Sequence, residues 1–379
     1  MRRARLAAAA ALCCVYLEAR RRLLASAEHE GRRIGPKQLG VLASWFLQKF
    51  SELNGVRLAS ESGEGLHMLN PERRYLIVWH PHGFLAWSAL FLVSRMAVGG
   101  HPHGREWFAM VAPALFRIPI VSEALMLVNG RKVDKKVVET YLSKGKSIAL
   151  QPGGVREQMI TRHDQEQAVF PANLGFIRMA LKYGMDLLPA YIFNETQMFR
   201  RVDGFEKFTE WVHRHLGFGL PTVTARFGLP MAGLLPLSTD VHVRWGVPLE
   251  VGPAIDDPTE EQVESLFLKY LEALRNLFDK YAQECLPPEV AARGLAVIRL
   301  DGKPVPPHRP AAPRAELSAM LPQQHTSLST TEARVGMDAA DMATATTSAT
   351  AAVSPMPTTL PAASMRISSV NAQTPASKL

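Results

Sequence analysis

One apolar run constrains the fold of this chain more than any other feature. Residues 75–79 have the β-branched and aromatic composition of a buried strand, and they lead directly into His80-Pro81-His82-Gly83, called here the histidine motif. Residues 147–150, 186–193 and 241–245 have the same character and are separated by amphipathic stretches. Strands that alternate with helices in this way predict an α/β domain.

Three helices are predicted from apolar residues that recur at helical spacing. The first covers residues 134–144 and the second covers residues 173–183. The third begins at Asp257, whose side chain is expected to cap the helix while Pro258 takes the first turn and Glu260 completes a capping box.

The ends of the chain differ from the middle in charge and composition. The formal net charge is +8, of which residues 1–33 contribute +5 and residues 302–379 contribute +2. A near-neutral middle argues against nucleic acid as a partner, because binding to phosphates requires a basic face on the folded domain. We expect residues 1–58 to form a membrane-associated or targeting region, residues 59–300 a folded domain, and residues 301–379 a disordered tail rich in Pro, Ala, Ser and Thr.

The N-terminal region holds an apolar run, residues 6–17, with arginines on both sides. It is shorter than the roughly 20 residues that a membrane-spanning helix needs, so it is expected to dip into one leaflet or to lie at an anionic membrane surface. A signal peptide cleaved near Ala27 is the alternative. Three later apolar runs, residues 41–50, 84–98 and 216–237, are suited either to lipid contact or to the core.

A second candidate targeting signal lies at the other end of the chain. Ser377-Lys378-Leu379 matches the tripeptide that a peroxisomal import receptor reads, and it follows a segment expected to be flexible. This address conflicts with an N-terminal secretory signal, and both interpretations stay open.

The three cysteines predict neither a disulfide framework nor a metal site. Cys13 and Cys14 are adjacent and Cys285 is far from both, so no recognisable ligand spacing exists. A reducing compartment is the simpler interpretation.

The histidine motif is the main candidate for catalysis. An imidazole titrates near neutral pH, so His80 or His82 could take a proton from an alcohol that attacks an acyl carbon. Gly83 permits close approach by a substrate. The alternative is a pair of histidines that only stabilises a turn.

The same four letters occur again at His101-Pro102-His103-Gly104, without a strand in front of them. A solvated loop is the expected structure there. Metal binding by the four histidines lacks a nearby carboxylate or thiolate at ligand spacing, so no metal is expected.

A glycine turn follows the strand at residues 147–150. Its Gly153 and Gly154 could direct backbone N–H groups towards an anion, and Glu157 could orient an imidazole. An ordinary turn is the alternative. The segment that ends in Gly145-Lys146-Ser147 lacks the earlier glycine of a phosphate loop, so a nucleotide-triphosphate site is not expected. The sequence also has no G-x-S-x-G elbow, which argues against a serine hydrolase.

Taken in order, these motifs resemble the type-2 diacylglycerol acyltransferase family over roughly residues 70–283. The resemblance also includes residues 175–178 and Glu195, which follows the strand at residues 186–193. It implies a mixed sheet flanked by helices, as in glycerolipid acyltransferases, with residues 59–300 as the acyltransferase domain. It further implies transfer from acyl-CoA, a co-substrate and the only coenzyme expected, to diacylglycerol at the endoplasmic-reticulum membrane or lipid droplets.

The resemblance and the residue chemistry together suggest site roles. His80 or His82, preferably His82, would be the base with Glu157 holding its ring, and Arg156, Arg178 and Lys182 would bind the CoA phosphates. The remaining substrate contacts would come from Gly83, Gly153, Gly154 and Glu195.

The glycine turn reads Gly153-Gly154-Val155-Arg156-Glu157 where the family has Gly-Gly-Ala-Ala-Glu, which is closer to related glycerolipid and phytyl-ester acyltransferases. The chain also departs from the family pattern at three single positions. Asn194 stands where the family usually has Gly, Leu174 where it has a basic residue, and Phe267 where it has His. We expect these changes to affect the acceptor pocket. A monoacylglycerol or a long-chain or phytyl alcohol is therefore an alternative acceptor, and a lipid esterase or a non-catalytic lipid-binding protein is the alternative function.

Overall fold

The computed structural model describes residues 2–100, 104–216, 219, 222–228 and 235–308. The second copy of the motif, apart from Gly104, and residues 309–379 lie outside the described residues. The expected C-terminal tail is therefore described only for residues 301–308, and its final tripeptide is not described.

The described residues form eleven strands and twelve α-helices. The strands are β1 Val56–Ser62, β2 Tyr75–His80, β3 Trp107–Val111, β4 Gly130–Lys132, β5 Ser147–Leu150, β6 Glu166–Phe170, β7 Asp186–Phe193, β8 Arg200–Arg201, β9 Val223–Thr224, β10 Thr239–Trp245 and β11 Leu295–Arg299. The helices are α1 Arg2–Glu30, α2 Lys37–Leu53, α3 Gly65–Met68, α4 Trp87–Phe91, α5 Ser94–Gly99, α6 Val121–Leu127, α7 Lys135–Ser143, α8 Gly154–Ile160, α9 Gly175–Tyr183, α10 Glu206–Leu216, α11 Glu260–Cys285 and α12 Pro288–Ala291.

Seven strands form the central sheet in the order β1-β10-β7-β2-β5-β3-β4. All neighbours are parallel except β10 and β7, which are antiparallel. The mixed α/β architecture predicted from the sequence is therefore confirmed. The pairs β6 with β11 and β8 with β9 form two separate small sheets.

Strand β2 lies near the middle of the sheet, and all six of its residues are buried. Successive side chains of a strand point to opposite faces. Leu76 and Val78 belong to the core cluster formed with α7, α9 and α11, whereas Ile77 and Trp79 belong to the cluster on the other face. His80 therefore continues the face covered by α11.

Helix α11 begins later than predicted. Its N-cap is Thr259, which exchanges capping-box hydrogen bonds with Gln262, so the predicted cap at Asp257 is wrong by two residues. The sequence fits a capping box at both positions. Because the buried apolar stripe starts at Val263, the helix begins at the later cap.

The N-terminal region forms α1 and α2. Helix α1 lies against the domain through its second half, where Arg20 forms an ion pair with Glu123 at 3.0 Å and Ala27 is buried. Within the described ranges, no helix is both long enough and apolar enough to cross a membrane.

Candidate active site

The histidine motif leaves the sheet at the end of β2. The ring of His80 is fully buried, with its centroid 5.2 Å from that of Phe170 and 6.3 Å from that of Tyr270. Neither ring nitrogen has a hydrogen-bond partner among the described residues. Burial lowers the pKa of His80 to about 3, so its ring is neutral at physiological pH.

His82 occupies a different environment in the turn after the strand. It is half-buried, and its Nδ1 lies 3.2 Å from the carbonyl oxygen of Gly83. A carbonyl only accepts, so Nδ1 carries the proton and Nε2 keeps its lone pair. Burial lowers the pKa of His82 below its ordinary value, so the ring is neutral and can accept a proton.

Glu157 holds the backbone of the motif instead of an imidazole ring. Its Oε1 accepts the N–H of His82 at 2.5 Å, and its Oε2 accepts the N–H of Val169 at 3.3 Å. The expectation that Glu157 orients the ring of His82 is therefore wrong, because the backbone side of the turn faces α8. Burial raises the pKa of Glu157 to about 8, which keeps most of the carboxyl protonated at pH 7.

The glycine turn is required by the close approach of this carboxyl. A Cβ on Gly153 would lie 2.1 Å from Oε2 of Glu157 and 2.9 Å from the carbonyl oxygen of Val169. Gly154 has a φ of +48° and closes the turn by donating its N–H to the carbonyl of Gln151 at 3.2 Å.

Two glutamines complete the connection between the turn and the motif. Gln151 donates its side-chain N–H to the carbonyl of Pro81 at 3.0 Å, and Gln158 donates to the carbonyl of Phe84 at 2.6 Å. Neither was predicted as a site residue. Gln151 could have been found, since it directly follows β5 in the same turn as the two glycines.

Glu195 supports the other side of the motif. Its carboxylate accepts the N–H groups of Trp87 at 2.7 Å and Ser88 at 3.0 Å, and a Cβ on Gly83 would lie 2.6 Å from its Cγ. Glu195 therefore supports the backbone after the motif, and its contact with the substrate stays a prediction. Burial raises the pKa of Glu195 to about 7.

A third buried carboxyl, Glu166 of β6, was missed by the sequence analysis. It accepts hydrogen bonds from the hydroxyls of Tyr191 at 2.7 Å and Thr196 at 2.6 Å, and from Gln197 at 3.0 Å. Tyr191 is paired with His80 across the ladder between β7 and β2. Glu166 is the first residue of β6 and is followed by the polar Gln167, so no signal in the sequence separates it from the polar loop before the strand.

The three predicted phosphate-binding residues lie apart from one another. Arg156 is exposed on α8, one residue before Glu157, and has no hydrogen-bond or ion-pair partner within the described part of the chain. Arg178 on α9 forms an ion pair with Glu260 at 2.6 Å. Lys182 is exposed one turn further along α9. Among the described residues, no contact joins Arg178 or Lys182 to the histidine motif.

The three departures from the family pattern occupy defined places. Asn194 adopts a φ of +69°, a conformation that suits both Gly and Asn, and it donates to the carbonyls of Asp240 and Cys285. Leu174 and Phe267 both belong to the core cluster on the His80 face of the sheet. The ring of Phe267 lies 5.0 Å from that of Phe170, so it takes part in the aromatic wall beside His80.

No three His, Cys, Asp or Glu side chains group as metal ligands in the ranges that the structure describes. The chemistry available is that of a neutral imidazole, buried carboxyls and backbone N–H groups at two glycine turns.

Comparison with known proteins gives a consistent family. A family model described as diacylglycerol acyltransferase matches residues 38–290. Diacylglycerol O-acyltransferase 2 of Dictyostelium discoideum is 28% identical over 273 residues, which is 69% of this chain and 79% of that protein. Diacylglycerol O-acyltransferase 1 of Schizosaccharomyces pombe is 28% identical, covering 59% of this chain and 67% of that protein.

Two further similar proteins have names that specify other acyl acceptors. The 2-acylglycerol O-acyltransferase 1 of Bos taurus is 32% identical over 56% of this chain and 67% of that protein. The crystal structure of the 1-acyl-sn-glycerophosphate acyltransferase from Thermotoga maritima aligns with a TM-score of 0.38 and 14% identity, over 63% of this chain and 80% of that one.

Proposed function

The chain belongs to the diacylglycerol acyltransferase family, and on that premise we propose that it transfers a fatty acyl group from acyl-CoA to a neutral-lipid hydroxyl, with diacylglycerol as the acceptor and triacylglycerol as the product. Membership of the family makes it an acyltransferase. The observation that carries the catalytic assignment is the contrast between two histidines: His80 is fully buried in the core, whereas His82 is half-buried in the turn and its Nε2 has no hydrogen-bond partner among the described residues.

His82 acts as the general base in this proposal. Its Nε2 takes the proton of the acceptor hydroxyl as the oxygen attacks the thioester carbonyl. The carbon–sulfur bond then breaks, and the leaving thiolate takes the proton back from His82 to give free CoA. His80 and Glu157 are positioning residues, since one fills the core beneath the motif and the other holds its backbone.

Backbone N–H groups of the two glycine turns stabilise the oxyanion. Within the described residues, the N–H groups of Gly83 and Gly153 have no acceptor, so both remain available to a tetrahedral intermediate. Both turns are held at fixed positions by Glu157 and Glu195, which provides the preorganisation that this role needs.

Arg156 is the favoured ligand for the CoA phosphates. It is exposed on α8 next to the motif and free of partners in the described ranges, whereas Arg178 would first have to leave Glu260. An exposed ion pair is weak, so a phosphate could displace that glutamate. Lys182 lies one turn after Arg178 on α9 and is the weakest of the three candidates for phosphate binding, because an exposed lysine on a helix is usually only solvated.

The subcellular location of the enzyme is also part of the proposal. By family, the endoplasmic-reticulum membrane or a lipid droplet is the expected site, and the C-terminal tripeptide names the peroxisome as the alternative.

Expression in a host that lacks neutral-lipid synthesis tests the activity. Labelled acyl-CoA is supplied with diacylglycerol, monoacylglycerol or a long-chain alcohol, and the products are separated. Labelled triacylglycerol is expected, and it should be absent with the His80→Ala/His82→Ala variant at equal membrane-bound protein. Labelled free fatty acid as the main product would indicate an esterase, and binding without turnover would indicate a lipid-binding protein.

A further inference from the structure

Helix α2 carries its large apolar side chains on the outside. Its buried residues are small ones: Gly40, Ser44 and Ser51. The large apolar side chains exposed along it are Leu39, Leu42, Trp45, Phe46, Phe50 and Leu53. This is the reverse of the pattern on a surface helix of a globular domain, whose apolar face is turned to the core.

The orientation of α2 is fixed by the contacts of its small face. A Cβ on Gly40 would lie 2.5 Å from the carbonyl oxygen of Leu127, so the backbone packs directly against α6. The hydroxyl of Ser51 donates to the carbonyl of Val56 at 3.2 Å and accepts the indole N–H of Trp87 at 2.8 Å. The helix therefore cannot turn its large residues inward without breaking these contacts.

The exposed residues form one continuous stripe. Leu39, Leu42, Phe46, Phe50 and Leu53 follow each other at intervals of three or four, the spacing of a single helix face. Phe46 is 58% exposed and Leu53 is 85% exposed. A helix of 17 residues is about 26 Å long, so the stripe is a continuous apolar surface along α2. Single apolar residues scattered over a surface need no explanation, but a continuous patch indicates a binding surface.

We propose that this face of α2 docks on a lipid surface, with the helix axis parallel to the membrane plane and the stripe in the interfacial region. The margins of the stripe suit that position. Trp45 and Lys49 are exposed there, and these residue types favour the headgroup level. The only acidic residue of α2, Glu52, is neutralised by Lys49 at 2.5 Å.

The stripe leads to the histidine motif, which favours a lipid surface over a second copy of the chain as its occupant. Phe50 stacks with Trp87 at 6.2 Å and contacts Phe91 at 5.7 Å. Trp87 also donates its backbone N–H to Glu195, which packs against Gly83. On the proposed function, a water-insoluble acceptor must reach His82 from the membrane, and docking through α2 places that membrane beside the motif.

Fluorescence quenching by phosphatidylcholine vesicles with brominated acyl chains tests the docking face. Trp45 on α2 and Trp211 on α10 are both exposed, at 41% and 52%, and therefore form a matched pair. Trp45→Phe is expected to remove at least half of the quenched emission of the full chain. Unchanged quenching in Trp45→Phe would overturn the proposal, whatever the result for Trp211→Phe.

Charge substitution provides the second measurement. Leu42→Asp/Phe46→Asp is expected to lower the vesicle partition coefficient by at least about tenfold, since two exposed apolar side chains are replaced by carboxylates. Leu268→Asp/Leu300→Asp changes two exposed leucines elsewhere and should leave the partition unchanged.

Two outcomes separate this inference from its rivals. If the α2 variant partitions like the wild type but dissociates a dimer in sedimentation, α2 is an interface between copies and the proposal is overturned. His82→Ala should bind vesicles like the wild type, so an inactive wild type that still docks through α2 would contradict the proposed function alone.

Discussion

Glu157 accepts the backbone N–H of His82 at 2.5 Å, while the ring of His82 donates its Nδ1 proton to the carbonyl of Gly83. The carboxyl therefore fixes the path of the chain, and a neighbouring carbonyl fixes the tautomer of the base. This separates the role of Glu157 from that of an acid that shares a proton with histidine.

Glu157→Gln is expected to keep most of the activity. The amide oxygen can still accept the N–H of His82, and the wild-type carboxyl is itself mostly protonated at pH 7 because burial raises its pKa to about 8. Glu157→Ala leaves the N–H groups of His82 and Val169 without an acceptor, at a cost of about 1 to 3 kcal/mol each. Steady-state rates and chemical unfolding of both variants check this, and a Gln variant as inactive as His82→Ala would contradict it.

The same substitution changes how stability depends on pH. A carboxyl whose pKa is raised on folding, here from 4.5 to about 8, contributes stability below pH 4.5 that is lost as the pH rises towards 8. The wild type should therefore lose on the order of a few kcal/mol relative to Glu157→Gln between pH 4.5 and 8. Urea unfolding of both proteins across this range measures the difference, and parallel curves would refute the prediction.

His80 has the opposite dependence. Its pKa falls from 6.5 to about 3 on folding, so the neutral buried ring contributes stability that is present above pH 6.5 and lost as the pH falls towards 3. His80→Leu keeps an apolar side chain at this position and removes the titration. Thermal unfolding between pH 7 and 4 should show a smaller acid-induced loss in the variant than in the wild type. An equal loss would place the titration elsewhere.

Gly83→Ala should damage the site from the backbone. Gly83 has a φ of +64°, and a Cβ there would meet the Cγ of Glu195 at 2.6 Å. We expect a destabilisation of about 1 to 3 kcal/mol together with a lower kcat, because the same turn carries the oxyanion N–H. Gly99→Ala is the matched control, since a Cβ at Gly99 meets nothing within 4 Å. Equal unfolding curves and rates for the two alanine variants would contradict this.

Strand positions could be predicted from the sequence because a strand that is buried on both faces is a short run of mostly apolar residues. The predicted ranges 147–150 and 186–193 coincide with β5 and β7. The start of α11 could not be predicted, since Asp257 and Thr259 each precede a Glu or Gln by three residues and only packing of the helix selects between them.

For Glu157, the sequence predicts that the residue meets the histidine motif but not through which atoms. The sequence also places Arg178 and Lys182 at the same site, although no contact among the described residues joins them to the motif. The order of motifs brings Glu157 to the histidine motif, yet its partner is a backbone N–H that no sequence pattern specifies. The same holds for Glu195, whose partners are the N–H groups of Trp87 and Ser88. Glu166 escaped attention because its hydrogen-bond donors come from β7 and the turn after it.

The central claim is that Nε2 of His82 is the base and His80 is not. The direct test is the rate of acyl transfer from acyl-CoA to diacylglycerol by purified His82→Ala and His80→Leu, in vesicles and at matched protein. His82→Ala should lower kcat by about 10²-fold or more with an unchanged unfolding temperature, whereas His80→Leu should retain measurable transfer. Wild-type transfer by His82→Ala, or its loss only in His80→Leu, would contradict the account.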